Sequence, residues 1–291
     1  FAPAEAIPWR QERRTSRMTL IILLALLLAG IGLGAALRSK NMHIWMPSYV
    51  LARLKKRERP VRGRPIDIMF CVADHYEPKQ IEEDEQWQRY TTNTYEDETF
   101  VVDEWLRRYP GLAVGHCDSD GIPPRHSWFV PVENYDAAHW EKLTTLCRAG
   151  FGEVEIHLHH FRDTEDGFRK AMELGKEQLA QHGARVLSAV RSAQAYAFVH
   201  GNWSLDNAGG DEVCGVNNEL EVLSQTGCFA DFTLPCAPNR AQTRKINAIY
   251  YATDDISAPK SHDSGVDVVV GGKPQGTLMI IQGPLCLDWS N

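Results

Sequence analysis

The sequence predicts an α/β fold, a parallel layer or barrel of about seven strands over residues 65–291, preceded by one N-terminal transmembrane helix. Three observations predict it. Met18 to Leu37 is an uncharged run of twenty residues in which only Thr19 is a classical polar side chain. At helical rise it spans a hydrocarbon core of about 30 Å. Beyond residue 65, short apolar runs alternate with amphipathic helical stretches, the pattern of parallel strands joined by crossover helices. Polar clusters follow four of those runs, at Asp74/His75, Asp118/Asp120, His157/His159 and His200/Asn202. In a parallel βα fold the carboxyl ends of the strands share one rim, where such folds place their active sites.

The 291 residues leave room for an anchor and one domain of catalytic size. A net charge of −7 and a pI near 5.9 argue against nucleic acid as a partner. Lys55-Lys56-Arg57 and Arg59 form a basic collar that reads as membrane-surface contact. A cleaved signal peptide competes with the anchor, since Arg13, Arg14 and Arg17 precede the apolar run and Gly34-Ala35-Ala36 are small. The run is longer than a normal signal core, which favours a single-pass anchor. The expected organisation is an N-terminal flank at 1–17, an anchor at 18–37, a basic juxtamembrane linker at 38–64, and a domain at 65–291 that folds without the anchor. Trp45 and Tyr49 in the linker suit the headgroup level. Basic residues flank both ends of the anchor, so the side of the membrane stays open. Seven cysteines without tight spacing fit free thiols better than a disulfide framework.

Taken in order, Ile66 to Ala73 is apolar enough for a strand buried on both faces, ending in Asp74-His75-Tyr76-Glu77-Pro78. Residues 79–96 read as a loop, Val101 to Arg108 as a helix closed by Pro110, and Gly111 to His116 as a strand. Trp128 to Pro131 is a short strand. Asp136 to Ala149 is a helix with Trp140, Leu143, Leu146 and Cys147 on one side. Glu153 to His160 has a two-residue period, so Glu155, His157 and His159 share one face and Val154, Ile156 and Leu158 the other. Asp163-Thr164-Glu165 caps a helix that runs to Gln181. Ala195 to Val199 is the next strand, and Asn217 to Thr226 a helix stopped by Gly227. Cys228 to Leu234, Ala248 to Ala252 and Leu278 to Gln282 complete the strands.

A strand that aims two imidazoles the same way either lines a wet cleft or holds a metal, because unpaired buried polar groups are costly. Asp74, His157 and His159 make a two-histidine, one-carboxylate set for one divalent ion, with zinc the expected metal. Such an ion suits hydrolysis of an amide or ester. His75 and His200 are the candidate catalytic groups for proton transfer, and Asn202, Trp203 and Asp206 suit a sugar ring. Alternation sets His160 apart, so His160→Ala is expected to keep the metal that His157→Ala and His159→Ala lose. The bland alternatives are a solvent-facing edge strand, a structural His200, a core Trp203 and a plain Asp-rich turn at 118–121.

Asp74 after a buried first strand, the Glu155-Ile156-His157-Leu158-His159 element and the strand-end His200 together resemble the polysaccharide deacetylase superfamily over about residues 66–285. The resemblance implies a distorted (β/α) barrel and removal of N- or O-acetyl groups from sugars. It also implies one divalent metal held by an Asp and two His, with a separate catalytic Asp. The chain departs from the family pattern in several places. Asp74-His75 stands where two aspartates are usual, Asp163 follows His159 at the spacing of the second histidine, and His200-Gly201-Asn202-Trp203 replaces an Arg-x-Pro element. The family's last catalytic histidine has no clear counterpart around 278–289. The expected protein is a membrane-anchored, metal-dependent carbohydrate deacetylase. Its alternatives are a glycoside hydrolase using Asp74 with Asp118 or Asp120, and a non-catalytic carbohydrate-binding domain.

Overall fold

The computed structural model describes residues 9–54, 63, 66, 68–79, 81–83, 89–183 and 195–288. In chain order its elements are α1 (Trp9–Ser39), α2 (Met42–Leu54), β1 (Val72–His75), β2 (Ile81–Glu83), β3 (Arg89–Thr91), α3 (Tyr95–Val114), β4 (His126–Pro131), α4 (Ala137–Arg148), β5 (Gly152–Leu158), α5 (Glu165–Gln181), β6 (Tyr196–His200), α6 (Glu219–Thr226), β7 (Cys228–Asp231), β8 (Ile249–Ala252), β9 (Val266–Asp267) and β10 (Leu278–Ile281). Eight strands form one sheet in the order β1-β4-β5-β6-β7-β10-β8-β9, while β2 and β3 pair separately. The run from β1 to β10 is parallel, β8 is antiparallel to β10, and β9 is antiparallel to β8.

The α/β class is as expected, but the sheet is not a closed barrel. β8 lies antiparallel to β10, and the two-residue β9 then ends the sheet. The parallel run that would have to curl round to β1 therefore stops at β10, and β1 and β9 remain opposite edges.

Register decides which side chains meet. Asp74, Trp128 and Val154 fall in one row across β1, β4 and β5, and His75, Phe129 and Glu155 in the next. Successive rows face opposite sides of the sheet. Trp128, Val154, Ile156, Leu158 and Phe198 face one side and join Leu143, Phe168, Met172 and Leu223 in the main core. Helix α5 comes close there because Gly175 has no side chain: a Cβ on it would lie 2.8 Å from Val132 and 2.9 Å from Ile156. Phe129, Ala197 and Val199 pack on the other side with Phe229 and Phe232. Glu155 also faces that side, where its Oε2 accepts from the Ala197 backbone N–H, so it serves the β5–β6 junction rather than a wet cleft.

Several expected elements change. Residues 68–70 are not strand, and Ile68, Met69 and Phe70 are exposed, so the first strand is the short β1 alone. The loop at 79–96 contains β2 and β3, and it also contains the start of α3. Thr94 caps that helix through the Asp97 N–H while the Asp97 carboxylate accepts from the Thr94 N–H, a reciprocal box that nucleates the helix before Val101. The helix then continues through Pro110 and absorbs the strand expected at 111–116. Helix α5 spans the residues expected of it, with the Thr164 hydroxyl accepting from the Gly167 N–H.

Helix α1 contains a 21-residue stretch, Thr19–Ser39, long and apolar enough to cross a membrane, and none of its hydrophobic window is buried. A signal sequence would have the same character. Helix α2 is not a headgroup-level linker. Trp45 and Tyr49 are buried and pack edge to face at 5.8 Å. Asn41 donates to the Pro238 carbonyl, and Tyr49 and Arg53 line a groove of about 410 Å³ with Asn247 and residues 282–286. The basic residues 55–57 and 59 lie outside the described residues.

Two predictions follow from this packing. A chain begun at residue 40, which keeps α2, should melt well above one begun at residue 65, since the latter uncovers the surface that Trp45 and Tyr49 bury. Equal melting temperatures would show that α2 adds nothing. The second concerns Asp231, fully buried at the end of β7, with its carboxylate accepting from Thr233 N–H and hydroxyl. Burial pushes its pKa up to about 8. A raised carboxyl pKa favours the protonated folded state, so this contribution is whole below about pH 3.9 and gone once pH passes about 8. Asp231→Asn should therefore flatten the fall in Tm between about pH 5 and 8; an unchanged slope would assign that fall to other groups.

Candidate functional site

Four strand ends meet at the carboxyl rim, and Glu77, just past β1, is their hub. Its Oε1 lies 3.1 Å from His157 Nε2, 3.7 Å from His159 Nε2 and 3.9 Å from His75 Nδ1. The His75 and His157 rings meet edge on at 4.7 Å, as do those of His157 and His159. His159 Nδ1 lies 2.7 Å from Glu133 Oε1, in the turn after β4, and its own backbone N–H donates to the same oxygen. A proton on Nδ1 shared with Glu133 leaves the Nε2 lone pair directed at Glu77. His157 is fully buried, and neither of its ring nitrogens has an aligned hydrogen-bond partner, although Nε2 is close to Glu77.

Imidazole nitrogens that converge on one carboxylate can hold a cation, and His75, Glu77 and His157 are placed so that they could. Ligands about 2.1 Å from a tetrahedral ion stand about 3.4 Å apart, a value that lies within the spread of the Glu77 distances. Burial, then the neighbouring His157, lowers the His75 pKa to about 4; burial likewise lowers that of His157, so both rings are neutral at pH 7. Burial alone would raise the Glu77 pKa, but the close approach of His157, then His159 and His75, outweighs it and lowers it. The rim is open. Glu77 is 36% exposed and Trp203, whose ring lies 5.7 Å from that of His75, is 47% exposed. A cleft of about 530 Å³ leads away past Asp74, Glu77, Asn93 and Trp105, and one of about 520 Å³ runs from Trp203 along residues 235–239.

A second group lies beneath the rim. His160, His200, Cys214 and Glu219 are all buried and placed so that they could hold a metal ion. His160 Nε2 is 3.2 Å from Glu219 Oε1, Cys214 Sγ 3.6 Å from Glu219 Oε2, and His200 Nε2 3.9 Å from Glu219 Oε1. Asp163 Oδ2 sits 3.2 Å from His160 Nδ1, and Phe168 stacks on the His160 ring at 4.9 Å. Burial alone would lower the His160 pKa, but the partners Asp163, Cys214 and Glu219 outweigh it and raise it to about 12. His200, wholly enclosed and near His160, is pushed well down.

The structure sorts the expected residues. His75, His157 and His159 come together at the rim, with Trp203 beside them. Asp74 does not join them: it lies one row from His75, on the opposite face, where Oδ2 is 3.0 Å from His126 Nε2. Glu77 takes the carboxylate position instead. His200 is sealed under the rim and cannot act as a proton carrier for a substrate there. Asn202 spends its amide on the carbonyls of His160 and Val213. Asp206 is wholly buried, with its carboxylate accepting from Ser261 N–H, so it cannot touch a sugar. Asp163 pairs with His160, not His159, and His160 is no spectator. Asp118 closes a turn ahead of β4 by accepting from Asp120 N–H and Ile122 N–H.

Glu133, Cys214 and Glu219 went unassigned in sequence. Glu77 carries a usable signal, since it follows His75 by two residues, the strand spacing for a shared face. No protein-family model, curated protein or solved structure matches the chain.

Proposed function

We propose that this protein is a membrane-anchored, metal-dependent hydrolase that removes acetyl groups from a carbohydrate, with its reaction centre at Glu77 and the histidines around it, His75, His157 and His159. The observation that carries the reading is the convergence of three imidazoles on one carboxylate oxygen at an open rim. A divalent ion such as zinc, when bound there, would supply Lewis-acid polarisation of an acyl carbonyl and acidify water. Glu133 holds His159 in the tautomer whose Nε2 can ligate, the role an outer carboxylate plays for a metal-bound histidine. His75 stands at the mouth with a neutral ring, placed to take and return a proton. Trp203 offers an exposed ring face for a sugar, and the clefts on either side suit an extended polymer. The resemblance to polysaccharide deacetylases points to the same chemistry, with Glu77 standing in for the aspartate ligand.

Acetate release from acetylated oligosaccharides by the full chain in detergent tests the reading, with reducing-sugar release as the contrast. Glu77→Gln and His157→Ala should each lose rim metal and activity together. Glu133→Ala should lower metal affinity by about 10–100-fold. His75→Ala should lose rate by at least about a hundredfold. No acetate release from metal-loaded protein on any acetylated sugar would overturn the proposal. Trp203→Ala should raise KM about fivefold at near-constant kcat, equivalent to losing about 1 kcal/mol of stacking; an unchanged KM would remove Trp203 from the substrate path.

A further inference from the structure

We propose that His160, His200, Cys214 and Glu219 form a second metal site, closed and structural, which takes a thiolate-accepting divalent ion such as zinc and staples residues 201–219 to the sheet. The inference is independent of the proposed activity at the rim. Its donor set differs in kind from the rim set. One thiol, two imidazoles and one carboxylate complete four ligands, and all four residues are buried, whereas the rim set is open to solvent. Four protein ligands with no free position is the pattern of a structural zinc site.

The distances agree. For bonds of about 2.3 Å to sulfur and 2.1 Å to oxygen or nitrogen, a tetrahedral ion separates sulfur from oxygen by about 3.6 Å and nitrogen from oxygen by about 3.4 Å. Cys214 Sγ is 3.6 Å from Glu219 Oε2, and His160 Nε2 is 3.2 Å from the other oxygen, Oε1, so the carboxylate faces the thiol with one oxygen and the imidazole with the other. His200 Nε2, at 3.9 Å from Glu219 Oε1, is wholly buried with no hydrogen-bond partner, an orphan that a cation would satisfy. Its ligation shifts the ring proton to Nδ1 and gives up the long 3.2 Å contact from the Asn202 N–H. Asp163 beside His160 Nδ1 repeats the relation of Glu133 to His159 and orients the ring for ligation through Nε2.

The segment being held explains the need. Between β6 and α6 the chain places Trp203, Asp206 and Asn207 at φ near +50°, a left-handed conformation that non-glycine residues hold only when the surroundings enforce it. The four ligands come from the end of β6, the loop after it, the start of α6 and the segment after β5. One ion would tie all of these together beneath Trp203.

Cobalt exchanged into the full chain in detergent reads the site directly. The wild type should show near-ultraviolet thiolate-to-cobalt charge transfer with tetrahedral ligand-field intensity. Glu77→Gln, which touches only the rim, should keep that band, and Cys214→Ser should lose it. Elemental analysis should find two zinc ions per chain in the wild type and one in each of those variants. Chelation should lower Tm by roughly 5–10 °C, as for a ligand held at about a hundred times its Kd. Cobalt-loaded wild type without a thiolate band would overturn the proposal whether or not Cys214→Ser folds, and would leave His160 as an ion-paired imidazolium between Asp163 and Glu219. A band that survives in Cys214→Ser would also overturn it. One zinc with a thiolate band, unaffected by Glu77→Gln, would support the closed site and count against the rim reading.

Discussion

The alternation of side chains along β5 and the two residues after it separates the histidines there. His157 and His159 turn one way and His160 the other, so three histidines within four residues serve two different sets of partners. His157 and His159 meet Glu77. His160 turns under the sheet towards Phe168, His200 and Glu219. Val154, Ile156 and Leu158 bury the intervening positions in the main core, and a shift of one residue in register would put the imidazoles there instead.

Both histidine sets are electrostatically unfinished in the same way. Each has a carboxylate at its centre, Glu77 or Glu219, and a second carboxylate behind one ring, Glu133 or Asp163. In each, a ring nitrogen of a buried histidine, His157 or His200, has no hydrogen-bond partner. Buried polar groups left unpaired cost roughly 1–3 kcal/mol apiece, and their recurrence opposite a carboxylate is hard to reconcile with core packing alone. The sets differ in access: the rim set has an exposed edge and two clefts, and the lower one is sealed.

Close backbone approach holds the two sets together. A Cβ on Gly201 would lie 2.4 Å from the His159 ring, so the turn after β6 can pass directly over that histidine only because residue 201 has no side chain. Asn202 then bonds the carbonyls of His160 and Val213, joining the segments that carry both sets. A residue that reads in sequence as a sugar contact is thus a brace within the loop.

Local pattern by itself determined the α/β class, the apolar N-terminal helix, the limits of α5 with its Thr164 cap, and the faces of β5, because each depends on period and capping among neighbouring residues. Local signals also misled. The box at Thr94 and Asp97 starts α3 before Val101 and the helix runs on through Pro110, so the local pattern at Val101 to Arg108 falls short at both ends. Only the tertiary structure could decide what depends on register between strands and on where loops return. Asp74 was excluded from the rim because β1 pairs with β4 one row away from the required face, and Glu133, Cys214 and Glu219 entered the two sites from segments far along the chain. Closure of the sheet was decided in the same way: the reversal at β8 comes after six parallel strands, and no periodicity within a single strand records the direction of its neighbour.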